Sequence, residues 1–192
     1  WTDIDGMHNN DPREVTGTRS VKHLSFNEAE QLAFYGAKIL HPFCIAPARK
    51  RNIPVRLLNS MNPQAEGTLI SDLQDDNIIK AIAAKDNIFY MKFESKHNLC
   101  PYQFISKIFD TFAKYRTPLC LLVSSNQDVS VAIDNSEHLC KILAELEQYA
   151  KILMEDRMSI VSVVGNMRWQ YAGVEAQIIA VSYTHLTLPT IL

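Results

Sequence analysis

The stretch SFNEAEQLAFYGAKILHP, residues 25–42, decides how the chain is read. Ser25 and Glu28 stand in the capping-box relation, in which each satisfies an N–H that the first helical turn leaves without a partner; such caps contribute about 0.5–2 kcal/mol. A helix therefore begins at Ser25. Phe26, Ala29, Ala33, Ala37 and Leu40 recur at three- and four-residue steps and form one apolar stripe, and Pro42 is expected to stop the run. Ala33, Gly36 and Ala37 are small, so another backbone can come close to the C-terminal half of this helix. Lys38 lies beside that narrow place, and as a cation in a last turn it would also suit the helix dipole.

On either side of this helix the chain is different in kind. Residues 1–13, WTDIDGMHNNDPR, are polar and turn-rich, with Asp3, Asp5, Asp11 and Arg13 close together. After the helix, Pro42 fits the first turn of a second one, which Arg49, Lys50 and Arg51 close with positive charge. Pro54–Asn59 and Thr68–Ser71 read as short strands, with Asn62-Pro63 and Glu66-Gly67 as turns between them. Helices alternating with apolar strands point to a layered α/β sheet.

Asp72–Asn77 is acidic and reads as a linker. Beyond it the periodicity predicts strands at Ile78–Ala84 and Ile88–Phe93, a helix over Pro101–Tyr115 and strands at Leu119–Val123 and Val129–Ile133. A helix over Ser136–Tyr149 and a strand at Ile152–Glu155 follow. From Ile88 the order is βαββαβ. Met158–Val164 and an amphipathic helix over Tyr171–Ala180 come next, and then a Thr-rich tail, 181–192, that reads as a non-native, translated adapter end and is left out of the fold.

These residues carry a resemblance. WTDIDGM with NNDPR, then SFNEAEQLAFYGAKILHP, then NIPVRLLNSMNPQAEGTLIS, resemble the C-terminal part of the catalytic domain of aspartate kinases. Asp-x-Asp-Gly and Asp-Pro-Arg are shared more widely among amino-acid kinases, while Gly-Ala-Lys-Ile-Leu-His-Pro narrows the match. The βαββαβ order is that of an ACT domain, the effector-sensing module that this family carries in tandem.

The resemblance implies an αβα kinase sandwich in residues 1–72, of which only the C-terminal part is here. It implies a ferredoxin-like first ACT domain in 88–157, and a second made of 78–84 and 158–180 and cut off before its last strands. It also implies phosphorylation of the side-chain carboxylate of L-aspartate by ATP with Mg2+, and a homodimer formed through the ACT domains. Thr2, Asp3, His8, Arg13 and Lys38 would contact ATP. His8 stands where the family usually has Tyr. Ser124, Ser125 and Asn126 would line an effector pocket, from which Cys120 removes a carboxylate that anchors the effector's ammonium group. The acceptor site and the phosphate-binding lysine belong to the family's N-terminal half, so no catalytic residue is assigned to this chain, and the chain is expected to be an inactive fragment.

The residues constrain function in other ways. A net charge of −2 gives no basic surface for nucleic acid. The apolar runs are far shorter than the roughly 20 residues of a membrane span. Cys44, Cys100, Cys120 and Cys140 make no C-x-x-C pair, which points to free thiols in a reducing compartment such as the cytoplasm. Six histidines are scattered without metal-ligand spacing. The glycines, at 6, 17, 36, 67, 165 and 173, are too far apart to wrap a phosphate. A different amino-acid kinase, such as a glutamate kinase, and a stand-alone ACT-type amino-acid-binding or dimerisation module remain as alternatives.

Overall fold

The computed structural model describes residues 1–13, 15–37, 40–73, 79–96, 100–125, 127–166 and 173. The chain divides into two compact units, one of Trp1–Ala83 with Ser162–Leu192 and one of Ala84–Val161.

In the first unit, β1 (His23–Ser25), β2 (Val55–Leu57) and β3 (Thr68–Ser71) form a sheet in the order β1-β3-β2, with β1 parallel and β2 antiparallel to β3. α1 (Phe26–Phe34) starts where the capping box says it should: Glu28 N donates to Ser25 Oγ at 3.3 Å and Ser25 N donates to Glu28 Oε2 at 2.7 Å. Phe26, Ala29 and Leu32 are the buried face. The end differs from the expectation. α1 stops at Phe34 because Gly36, at φ +117°, turns the chain and lets Ala37 N donate back to Leu32 O. This is the capping bond pattern that a left-handed residue after a helix allows. Ala37 and Leu40 still pack on the core.

α2 (Pro42–Lys50) begins with Pro42, whose missing N–H costs nothing there, and with His41 as its cap: Phe43 N donates to His41 Nδ1 at 3.3 Å. It ends on the same device as α1, with Asn52 at φ +50°. Met7, Leu24, Leu32, Ile45, Leu57 and Ile70 fill the core between these helices and the sheet, joined by Ala81, Ala83 and Val164.

In the second unit the element order is β4 (Ala81–Ser95), α3 (Pro101–Lys114), β5 (Leu121–Ser124), β6 (Asp128–Ile133), α4 (Leu139–Leu146) and β7 (Ala150–Val164). The first three residues of β4 and the last three of β7 belong to the first unit. The sheet runs β5-β6-β4-β7, the strand order of a ferredoxin-like βαββαβ module. The register sets Phe89, Met91 and Phe93 opposite Ile133, Val131 and Val129. These residues share one face because side chains alternate along a strand. Phe104, Ile108 and Phe112 of α3 and Leu139, Ile142 and Leu146 of α4 cover that face, with the Phe93 and Phe112 rings edge to face at 6.3 Å. The other face carries a charge ladder across the strands: Lys151 to Glu94 at 3.6 Å, Glu94 to Lys92 at 3.6 Å and Lys92 to Asp128 at 3.2 Å.

Each of β4 and β7 was expected as two strands. They are continuous because Asn87 (φ +59°) and Arg157 (φ +56°) take up the irregularity while the strands carry on. The helix expected over Tyr171–Ala180, the tail 181–192, and Gln74–Ile78 of the linker and following strand lie outside the described residues, Gly173 apart.

Candidate functional site

The polar opening segment is fastened to the sheet at several places. Thr2 N donates to Leu58 O at 2.9 Å, and Ser60 N donates to Thr2 O at 2.8 Å, so Thr2 forms a parallel bridge with Asn59 just past the end of β2. Asn59 Nδ2 then donates to Asp5 Oδ1 at 2.6 Å. One turn further on, Gly6 passes so close to Thr68 that a Cβ would lie 2.6 Å from its hydroxyl. Its φ of +117° also favours glycine. Met7 N donates to that hydroxyl at 2.8 Å, and the hydroxyl donates to Val21 O at 2.6 Å. Gly67 makes a second close crossing, where a Cβ would run into Leu57 O.

From Met7 the chain enters a hairpin. Val21 N donates to Met7 O, His8 bridges Ser20, and Asn9 N donates to Arg19 O. Asn9 O in turn accepts from Ile82 N. Thr2 and Asp3 therefore sit before the base of the hairpin, His8 on its arm and Arg13 at its tip.

The four described candidates are placed as follows. Thr2 Oγ1 donates to Asp3 Oδ1 at 3.1 Å, and the Asp3 side chain is exposed. His8 Nδ1 lies 2.9 Å from Thr18 Oγ1. Arg13 folds onto Asp11, its Nε and Nη2 donating to the two carboxylate oxygens at 2.9 and 2.6 Å. Such a bidentate pair fixes the plane of the guanidinium. Lys38 lies outside the described residues. Thr2, Asp3, His8 and Arg13 are thus all on one fastened loop. Donors, acceptors and a guanidinium on such a loop are the groups that bind a polyanion with hydroxyls.

Two groups of residues escaped the sequence reading. Asn59, Ser60 and Thr68 hold the loop, together with Asp5, which the sequence showed only as part of the polar opening stretch. Glu28, recognised only as a cap, also accepts from Lys80 Nζ at 2.8 Å, with side chains 13% and 2% exposed. For Asn59, Thr68 and Lys80 the signal was a polar residue in an apolar context.

Of the expected effector residues, Ser124 ends β5, Ser125 makes the turn into β6, and Asn126 lies outside the described residues. Ser125 Oγ donates to Asp128 Oδ1 at 2.7 Å. This hydroxyl first, and Lys92 against the opposition of burial, hold the Asp128 carboxyl below its ordinary range. A second cluster joins Lys85, Asp134 and Cys120: Lys85 Nζ lies 2.6 Å from Asp134 Oδ2 and 3.9 Å from Cys120 Sγ. Burial works against the Lys85 ammonium and the Asp134 carboxylate, but their pairing outweighs it. Lys85 is raised and Asp134 lowered from their ordinary values. Burial first, and the charge of Asp134 next, push the Cys120 thiol up.

A model of the amino acid kinase family matches residues 1–59. Aspartokinase 3, chloroplastic, of Arabidopsis thaliana is 35% identical over 179 residues, which are 88% of this chain and 32% of that protein. Among solved structures, E. coli aspartokinase III in complex with aspartate and ADP (R-state) superposes with a TM-score of 0.87 at 27% identity, over 96% of this chain and 43% of that one. The structure of E. coli aspartokinase III in complex with lysine and aspartate (T-state) gives 0.79 at 27% identity, over 100% and 44%. The chain spans about a third of the length of the plant relatives it matches. The resemblance to aspartokinases, carried by the residues quoted at the outset, therefore holds for sequence and structure alike.

Proposed function

We infer that this chain is the nucleotide-loop and sensor portion of an aspartate kinase, an enzyme that transfers the terminal phosphoryl group of ATP to the side-chain carboxylate of L-aspartate. The observation that carries this reading is the fastened loop. Thr2, Asp3, His8 and Arg13 lie on one segment tied to β2 and β3, in a chain that overlays on an aspartokinase structure holding aspartate and ADP. Phosphoryl transfer depends mainly on positioning and on neutralising charge. Arg13, its plane set by Asp11, suits a phosphate; Asp3 and Thr2 suit the hydroxyls of a ribose; and Lys38 is assigned to the phosphates with them. Mg2+ is assigned to the nucleotide, since this ion keeps phosphate and water ligands in preference to a protein cage. Among the described residues no group of three or more His, Cys, Asp or Glu is placed to hold a metal.

The second unit is assigned to amino-acid sensing through Ser124, Ser125 and Asn126, and to pairing of two copies. The cytoplasm is the expected compartment. No helix among the described residues is long and apolar enough to cross a membrane.

Calorimetric titration of the chain with ADP tests the reading. Binding is expected, and Arg13→Ala is expected to weaken it about tenfold, the loss of one charge-assisted pair. No heat from the unmodified chain, or unchanged affinity in the variant, overturns the nucleotide assignment. Aspartate-dependent ATP turnover by this chain alone would overturn the assignment of the acceptor site to the part of the relatives that this chain does not span.

A second reading, a stand-alone amino-acid-binding module, is favoured by one feature: the second unit closes a core of its own between α3, α4 and the sheet. Titration with lysine, threonine and methionine decides it, and no heat from any of the three removes it.

A further inference from the structure

Asn59 is nine-tenths buried directly after β2, a place where the preceding Val-Arg-Leu pattern would accept an apolar residue. Burying an amide without partners is costly. Both ends of this one are occupied: Nδ2 donates to Asp5 Oδ1 at 2.6 Å, and Oδ1 accepts from Met61 N at 2.8 Å. The backbone on either side of Asn59 carries the Thr2 bridge, through Leu58 O and Ser60 N. Ser60 Oγ adds a third link, donating to Thr2 O at 3.1 Å, and Asn62 Nδ2 reaches Asp5 Oδ1 at 3.5 Å.

The segment Thr2–Asp5 is thus held at its first residue by backbone and at its last by the Asn59 side chain, with Asp3 facing outward between the two. The Met61 N bond is a local Asx turn, while the Nδ2 bond to Asp5 is the one that reaches across to the loop. This one fixes the span that presents the Thr2 and Asp3 side chains, which hydrogen-bond to each other at 3.1 Å.

We propose that Asn59 is a positioning residue for nucleotide binding, acting through Asp5 to hold Thr2 and Asp3 in their binding geometry. This rests on the nucleotide reading above. A misplaced binding group loses affinity even when it is still present, because holding it in place has been paid for in the free protein.

The pair Asn59 and Asp5 can be tested by exchanging its two ends. Asn59→Asp sets two carboxylates against each other at the 2.6 Å contact, and ADP affinity is expected to fall about tenfold or more. Asp5→Asn combined with Asn59→Asp restores one donor opposite one acceptor and leaves an acceptor for Met61 N. Affinity is expected to return to within about threefold of the unmodified chain. Hydrogen exchange is read on the same samples: the amides of Thr2 to Gly6 speed up in Asn59→Asp and are protected again in the exchanged pair, while those of α1 and β3 do not change. Should Asn59→Asp fail to fold, Asn59→Ala is read in its place against the same criteria.

Unchanged ADP affinity in Asn59→Asp overturns the assignment. So does a folded exchanged pair in which exchange protection returns and affinity does not. If the unmodified chain binds no ADP, it is the nucleotide reading that fails, and this assignment falls with it.

Discussion

The buried pair of Glu28 and Lys80 gives the sharpest prediction for stability. Glu28 Oε2 accepts both the Ser25 N–H that caps α1 and the Lys80 ammonium, whose side chain is 2% exposed. Glu28→Gln keeps the cap, because glutamine serves in a capping box as glutamate does. It weakens a charge-assisted hydrogen bond to a buried cation, which costs about 1.5–3 kcal/mol. Lys80→Met removes the cation and keeps the volume apolar, while the remaining carboxylate retains its N–H donor and its greater exposure. That change should cost no more than about 1–2 kcal/mol. The two substitutions together should cost less than their sum, with a coupling of at least about 1 kcal/mol. A domain has about 5–15 kcal/mol of stability in all. Glu28→Gln should therefore remove a large share of it from the first unit, and Lys80→Met a small one. Urea titration followed by hydrogen exchange on peptides from α1 and β3 reads the unit directly. Equal losses for the two single variants, or coupling below about 0.5 kcal/mol, would refute the reasoning, since the pair would then behave as a solvated surface contact.

Two further predictions concern the second unit. α3 ends with Arg116 at φ +49°, its N–H donating to Ala113 O and the Thr117 N–H to Phe112 O. This is a cap that favours glycine, and the arginine side chain is exposed. Arg116→Gly should stabilise the unit by about 0.5–1 kcal/mol, and no rise in its melting temperature would refute the account of the cap. The cluster of Lys85, Asp134 and Cys120 sets a pH window. Asp134 is lowered from 3.8, so its contribution is present above that pH and is lost as pH falls through the folded value. Lys85 is raised from 10.5 and Cys120 from 9.0, so their contributions are present below those values and are lost as pH rises through the folded ones. The unit's urea midpoint should hold level between about pH 4 and 9 and fall on both sides, and Asp134→Asn should flatten the acid side. An unchanged acid limb in that variant would show that the pair contributes nothing.

Much of the fold was legible where the signal is local. Ser25 and Glu28 announced the start of α1, and the apolar stripes of α3 and α4 announced their buried faces. What was missed depends on partners far along the chain. β1 is three residues long, too short to show a period, and exists because β3 pairs with it. Gly36 was read as a small packing residue inside a helix when it ends that helix. A Gly that permits close approach and a Gly that turns the chain look alike until φ is known. Lys85-Asp86-Asn87 and Glu155-Asp156-Arg157 look like turns. They remain within the continuous strands β4 and β7, which are neighbours in the sheet, and Asp86 is tied to Ser159 by a 2.5 Å hydrogen bond.

The site divides in the same way. Thr2, Asp3, His8 and Arg13, proposed here to meet the nucleotide, stood out because they lie in the short polar motifs that carry the resemblance. The residues that hold them were not. Asn59 and Asp5 are 54 positions apart, and Glu28 and Lys80 are 52 apart. A hydrogen bond over that separation leaves no period in the sequence and shows only as a polar residue where an apolar one would fit. This argues that the two kinds of residue answer to different constraints. The set proposed to meet the nucleotide would have to match a ligand. The buried set must match one another, so that changing one member is costly and changing both in concert need not be.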